Sequence, residues 1–426
     1  MRTVKWNPFL SGGLTVVGAM VLWCGAAQAD VSSTNAAAIV VFPKIVVDTT
    51  AIGRTDTIIQ LTNTSADPVN VRCFLVNANG HCSNSEKICD PVGDPADSPC
   101  GELEICVAGW QETDFSFRLT PKQPIVWRAS KGLPDLPLSD VPNNGQFSSG
   151  SILAVPEDPF VGELKCIQVG DDEQPVERND LKGEATIQKV TATTGVPEVD
   201  SRGYNAIGIQ AIEGANDGDD TLILGQEYNA CPNIIILDHF FDDARNFVLE
   251  SSGTTVRTHL TCVPCSEDFN LQAPITTVVQ FLVFNEFEQR FSTSRSVTCF
   301  SEIVLSDIDT RPGPTGDAQS IFNVNVQGTI TGQTLVRAVA DTDETHGHGL
   351  LCIAEEFHCA GGDLNDLNAR SGFNAHNNDA VNAQCGKRRP TVVNGGTSRS
   401  NAFSTVERGT RTQRDFVYLP AAQPPF

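Results

Sequence analysis

The sequence predicts an all-β protein of two tandem, related β-sandwich units with long disulfide-bearing loops. Three observations carry this. Apolar residues occur in short runs or at period two between turn residues, without sustained helical periodicity. Gly (35) and Pro (24) are plentiful enough for many turns. One stretch also occurs twice: Cys166-Ile167 with Asn179-Asp180-Leu181 returns as Cys352-Ile353 with Asn365-Asp366-Leu367, a constant shift of 186 (352 − 166 and 367 − 181). A copied segment marks related structural units, and 426 residues suits two domains better than one.

Weaker matches precede the copied stretch in the same order. Thr57-Ile58-Ile59-Gln60 and Val71-Arg72-Cys73-Phe74 are answered by Thr277-Val278-Val279-Gln280 and Val297-Thr298-Cys299-Phe300. Phe115–Leu119 with Gln123–Val126 is answered by Phe322–Val326 with Gln333–Val336. The expected units are 30–212 and 213–426, the second ending in a polar extension from Ala360.

Residues 1–29 read as a bacterial export signal. Arg2 and Lys5 form the basic start, Leu14–Trp23 the apolar core, and Ala27-Gln28-Ala29 the cleavage pattern before Asp30. The apolar run is short for a membrane span. Trp23 is a poor neighbour for lipidation at Cys24, so cleavage after Ala29 is expected, with the mature chain in the periplasm, at the cell surface or outside the cell.

Next come the elements. Ile39–Phe42 is an apolar run stopped by Pro43, followed by Ile45–Val47. Ile58–Leu61 leads into turn residues Asn63–Pro68. Val69, Val71 and Cys73 alternate with Asn70 and Arg72, the period of a half-buried strand. The wording Leu61-Thr62-Asn63-Thr64-Ser65, then Pro68-Val69-Asn70-Val71, resembles the opening hairpin of bacterial exported immunoglobulin-like surface and periplasmic modules. That resemblance implies a β-sandwich and brings no catalytic residue with it. Asn77–Cys106 is a polar, cysteine-dense insertion, Phe115–Leu119 a strand and Leu133–Gly150 a loop. Gly183–Val190, Ala206–Ile212 and Val278–Phe284 are further strand candidates, and a helix is conceivable only near Phe287.

Lys and Arg number 29 against 52 Asp and Glu, a formal charge of −23. Such a surface repels phosphate backbones and anionic lipid heads. Nucleic acid and peripheral membrane binding are therefore discounted, no later stretch is long enough for membrane insertion, and a protein or cell-surface partner is left.

Of 14 cysteines, Cys24 leaves with the signal. Exported cysteines usually pair, so an odd one remains. The repeat makes Cys73 with Cys166, and Cys299 with Cys352, the disulfide candidates. Cys82, Cys89, Cys100 and Cys106 are expected to pair among themselves.

Candidate chemistry is sparse. Cys262-Val263-Pro264-Cys265 has the spacing of a metal clamp or redox pair, but a second such pair is missing. Two structural cysteines with different partners is the favoured reading. His346 and His348 would share one side of an extended strand and, with Asp343, offer Zn²⁺ or Cu²⁺ ligands; the competing reading is a solvated loop. Asp217 and Asp219 offer oxygen to Ca²⁺ without EF-hand spacing, so an ordinary turn is expected. Asp238-His239 with Asp242-Asp243, and Glu355-Glu356 with His358, are the remaining His/acid neighbours. No catalytic residue is assigned. The expected function is a non-catalytic exported protein for binding, adhesion or envelope structure. The alternative is a metal-binding or thiol-redox protein using Cys262/Cys265 or His346/His348.

Overall fold

A computed structural model describes residues 31–50, 53–90, 98–133, 152–191, 198–232, 234–244, 255–272, 275–309, 311–312, 318–339, 349–359, 367–373 and 415–418. The proposed signal sequence lies outside them. Among the described residues no helix is long and apolar enough to cross a membrane. The protein is nearly all β, as the sequence predicts.

The first half contributes β1 (Ile39–Val47), β2 (Gly53–Asn63), β3 (Val69–Asn77), β4 (Gly80–Cys82), β5 (Ile88–Cys89), β6 (Cys106–Val107), β7 (Gln111–Leu119), β8 (Pro124–Arg128), β9 (Phe160–Val169), β10 (Leu181–Thr191), β11 (Glu198–Asn205) and β12 (Ile207–Ile209). A sheet ordered β12-β1-β9-β3-β7 faces one ordered β11-β10-β2-β8. Between them Val40, Phe42, Val71, Phe117 and Leu164 pack on Ile59, Leu61, Trp127, Ala185 and Ile187. The strands β4, β5 and β6 form a small sheet in the cysteine-rich insertion.

The second half contributes β13 (Thr221–Leu224), β14 (Ile234–Phe240), β15 (Thr255–Pro264), β16 (Glu267–Asp268), β17 (Thr276–Asn285), β18 (Arg290–Thr298), β19 (Ser301–Val304), β20 (Arg311–Pro312), β21 (Ala318–Gln319), α1 (Val324–Gln327), β22 (Thr331–Val339), β23 (Leu350–Cys359), β24 (Leu367–Phe373) and β25 (Asp415–Tyr418). Sheets ordered β14-β22-β17-β18 and β19-β15-β23-β24 enclose a core of Ile235, Phe281, Val283 and Val336 against Leu260, Cys262, Cys352 and Ala354. A third small sheet, β13-β25-β16, holds the chain between the halves.

A third apolar cluster joins the halves. Ile39, Val41, Phe74, Val76 and Ile167, on the outer face of the β1-β9-β3 sheet, pack against Leu222, Tyr228, Val263, Phe269 and Leu351. The Phe74 and Phe269 rings stack at 4.1 Å. This corrects the expectation of a half-buried β3. All nine of its residues are buried, because the second half covers the face that Asn70, Arg72 and Phe74 would otherwise turn to water. Arg72 pairs there with Asp114 and Glu173.

Pro43 does not end its strand. The β1–β9 register shifts by one between Phe42 and Ile45. This bulge absorbs a residue that cannot donate to the ladder. Val40 and Phe42 point into the first core before it, Ile45 and Val47 after it, so Lys44 is turned away from that core toward the second half.

Two other expectations change. Phe322–Val326, matched in sequence to a strand, opens α1, which Asn323 caps by accepting from the Asn325 N–H. Phe287, where a helix was conceivable, stands exposed in the β17–β18 turn.

Candidate functional site

The sulfurs are placed first. Cys73 bridges Cys166, as expected, across directly opposed residues of β3 and β9. Cys299 with Cys352 is a correction: Cys352 bridges Cys262, its opposite residue on the neighbouring strand β15. Cys299 follows β18 in the other sheet and is free and buried. A cross-strand disulfide needs adjacent strands and Cα atoms within about 7 Å, which wording alone does not reveal. The strand before each first cysteine strand, β2 or β14, also pairs with the strand before each second one, β8 or β22. On this ordering the β17–β18 hairpin is extra, and the upstream matches at Thr277–Gln280 and Val297–Phe300 fall on it.

Cys265 bridges Cys231. The two sulfurs of Cys262-Val263-Pro264-Cys265 therefore belong to different disulfides and are not bonded to each other. Cys82–Cys100 and Cys89–Cys106 staple the insertion, and that is why Cys82, Cys89 and Cys100 lie close together. Asp217 and Asp219 are exposed turn residues whose carboxylates accept the N–H groups of Asp219 and Thr221. His346, His348 and Asp343 lie outside the described residues.

His239 is buried core. Its Nδ1–H donates to the Phe240 carbonyl, and its Nε2 accepts the Thr334 hydroxyl at 2.7 Å. Burial pushes its pKa down to about 4 from 6.5. Nearby Asp242, wholly buried, accepts the Thr258 and Ser306 N–H groups, and burial raises it to about 6. The two act in opposite senses. A depressed histidine contributes stability that is full above pH 6.5 and lost as pH falls toward 4, here about 3 kcal/mol. The raised aspartate contributes stability present below its unfolded pKa and lost as pH rises through 6. Urea titrations at pH 7 and pH 4.5 are therefore expected to show a smaller acid loss in His239→Asn than in the wild type; parallel losses would exclude the histidine as the source.

Two charge clusters lie in the join between halves. In the first, the β1 bulge delivers Lys44, whose side chain is 3% exposed, to Glu302 of β19 at 2.6 Å and to Glu355 of β23. Arg202 of β11 also reaches Glu355 and lies 5.3 Å from the Phe357 ring centre. Tyr204 of β11 donates its hydroxyl to the Lys44 carbonyl. His259 of β15 stands 3.5 Å from Glu302. Burial opposes the charges of Lys44, Glu302 and Glu355, but the opposite charges outweigh it: Lys44 is raised, Glu355 lowered and Glu302 held at about 2.

The second cluster is drier. Glu163 and Lys165, two apart on β9, point the same way. Lys165 Nζ lies 3.7 Å from Glu267 Oε1 of β16, with both side chains fully buried. It donates to the Cys265 carbonyl at 3.4 Å and sits 5.4 Å from the Phe269 ring centre. The Glu163 and Glu267 carboxyls are side by side, and among the described residues they take no hydrogen bond from outside this cluster; only each other and Lys165 are in reach. Burial raises both pKa values against the pull of Lys165, and the charge of Glu163 lifts Glu267 further. Two adjacent carboxylates in such a site hold a proton between them. Burial and these carboxylates push the Cys299 thiol well up, which keeps it from acting as a thiolate.

Sequence reasoning missed both clusters. A signal existed: Lys44 interrupts an apolar run, and Glu163 and Lys165 alternate inside the apolar strand that ends in the repeated Cys-Ile. Compared with known proteins, the chain matches no family model, and no curated protein is significantly similar to it.

Proposed function

We propose that this is an exported, non-catalytic β-sandwich protein that binds, adheres or builds in the cell envelope. The observation that supports this most is where the charged and sulfur-bearing side chains are spent. Ten described cysteines form five disulfides, and the two buried charge clusters tie one half to the other instead of lining an open cleft. Five disulfides belong to an oxidising, extracytoplasmic setting. Such a cross-braced body suits a load-bearing or recognition role, with its partner a protein or the cell surface.

Cell fractionation, combined with crosslinking in intact cells, tests the reading. The chain is expected in the envelope or outside the cell, crosslinked to a surface component. His346→Ala/His348→Ala is expected to leave that distribution unchanged. Stoichiometric zinc or copper in the purified protein that this variant loses would overturn the proposal in favour of a metal-binding role.

A further inference from the structure

We propose that Lys165 and Glu267 become joined by an amide bond between their side chains, formed by the protein itself with Glu163 as the proton carrier. Three features meet at this point. The amine and the carboxyl are 3.7 Å apart and both fully buried, on strands from opposite halves of the chain. A second carboxyl, Glu163, is 1% exposed and beside both. The surroundings are apolar, with Phe74 and Phe269 stacked next to the amine. As separate groups they are two buried carboxyls that, among the described residues, take no hydrogen bond from outside the cluster, an arrangement that costs stability. The amide removes the most costly of these charges.

The step balances. At the start Lys165 carries three protons, the Glu267 carboxyl carries one, and Glu163 is a carboxylate. One proton passes from Nζ to Glu163, so that all three groups are neutral, the state an apolar pocket favours. The nitrogen lone pair attacks Cδ of Glu267. The C–N bond forms and the bond from Cδ to the hydroxyl oxygen breaks, while Glu163 relays a proton from nitrogen to that oxygen, which departs as water. At the end the amide nitrogen keeps one proton, the water has two, and Glu163 has one to donate to the new carbonyl. No oxidant or cofactor enters. Fixed proximity replaces an encounter in solution, and departure of water from a dry site draws the condensation forward. The raised pKa values of both carboxyls are consistent with these protonation states.

The test is the mass of the full exported chain after reduction and alkylation. It is expected to fall short of the mass of its sequence by one water. Proteolysis should give a branched peptide joining the Lys165 and Glu267 segments. Lys165→Met is expected to restore the full mass. Glu163→Gln, which keeps the side-chain size, should leave most molecules unlinked. On reducing gels the wild type should run ahead of Lys165→Met, because the bond closes a loop between residues 165 and 267. A wild-type chain of full mass without the branched peptide overturns the proposal whatever the variants do. Linkage that persists at wild-type level in Glu163→Gln overturns the role given to Glu163.

Discussion

Replacing Lys44 by methionine is expected to destabilise the protein by about 3 kcal/mol, the low end of the 3–5 typical when one partner of a buried ion pair is removed. The low end applies because Glu355 keeps Arg202, and Glu302, 29% exposed on its side chain, keeps His259 and some water. The loss should appear as a lower urea midpoint. The double variant Lys44→Met/Glu302→Gln is expected to cost less than Lys44→Met alone, since it removes the orphaned charge as well. A double variant that is less stable would show that packing of the lysine stem, and not charge, is what matters. The cluster also sets an acid limit. The folded pKa of Glu302 is depressed from 4.5 to about 2, so its contribution is full above pH 4.5 and lost as pH falls toward 2.

Removing the Cys73–Cys166 bridge by Cys73→Ala/Cys166→Ala is expected to cost about 4–5 kcal/mol, because in the chain-entropy account the cost grows with the loop that the bond closes. The separation here is 93 residues, against 18 for Cys82–Cys100. The shorter loop should cost about 3 kcal/mol, and it staples an insertion, not the sheet centre. Guanidinium midpoints of the two double variants order them directly. A larger loss from the Cys82–Cys100 variant would mean that the insertion, and not the sandwich, limits stability.

Much of the architecture follows from local pattern. β2, β7, β10 and β17 face one core each, so their residues alternate between buried and more exposed in the way period two demands. β3 shows period two over Val69–Cys73 yet is buried along its whole length, and β9 shows little alternation, because both faces of these strands are covered. The four cysteines of the insertion were legible as a group because short loops leave few other partners. Cys352 was not, because Cys262 and Cys299 both precede it in apolar surroundings and only strand adjacency separates them.

The sequence by itself determined the all-β class, the disulfide-rich character, the Cys73–Cys166 bridge and the separate fates of Cys262 and Cys265. The class and the fates of Cys262 and Cys265 rest on residue type and short-range spacing, which act within one strand or turn, whereas the Cys73–Cys166 bridge, spanning 93 residues, was legible only through the copied stretch. The tertiary structure alone decided that Cys262 reaches Cys352, that Lys44 crosses to Glu302 and Glu355, and that Glu163, Lys165 and Glu267 meet in a dry pocket. Each depends on which strands become neighbours, and the Lys44 contacts also on a one-residue bulge at Pro43. Both are set by packing between segments more than a hundred residues apart in several cases, where the chain carries no local trace of its partner.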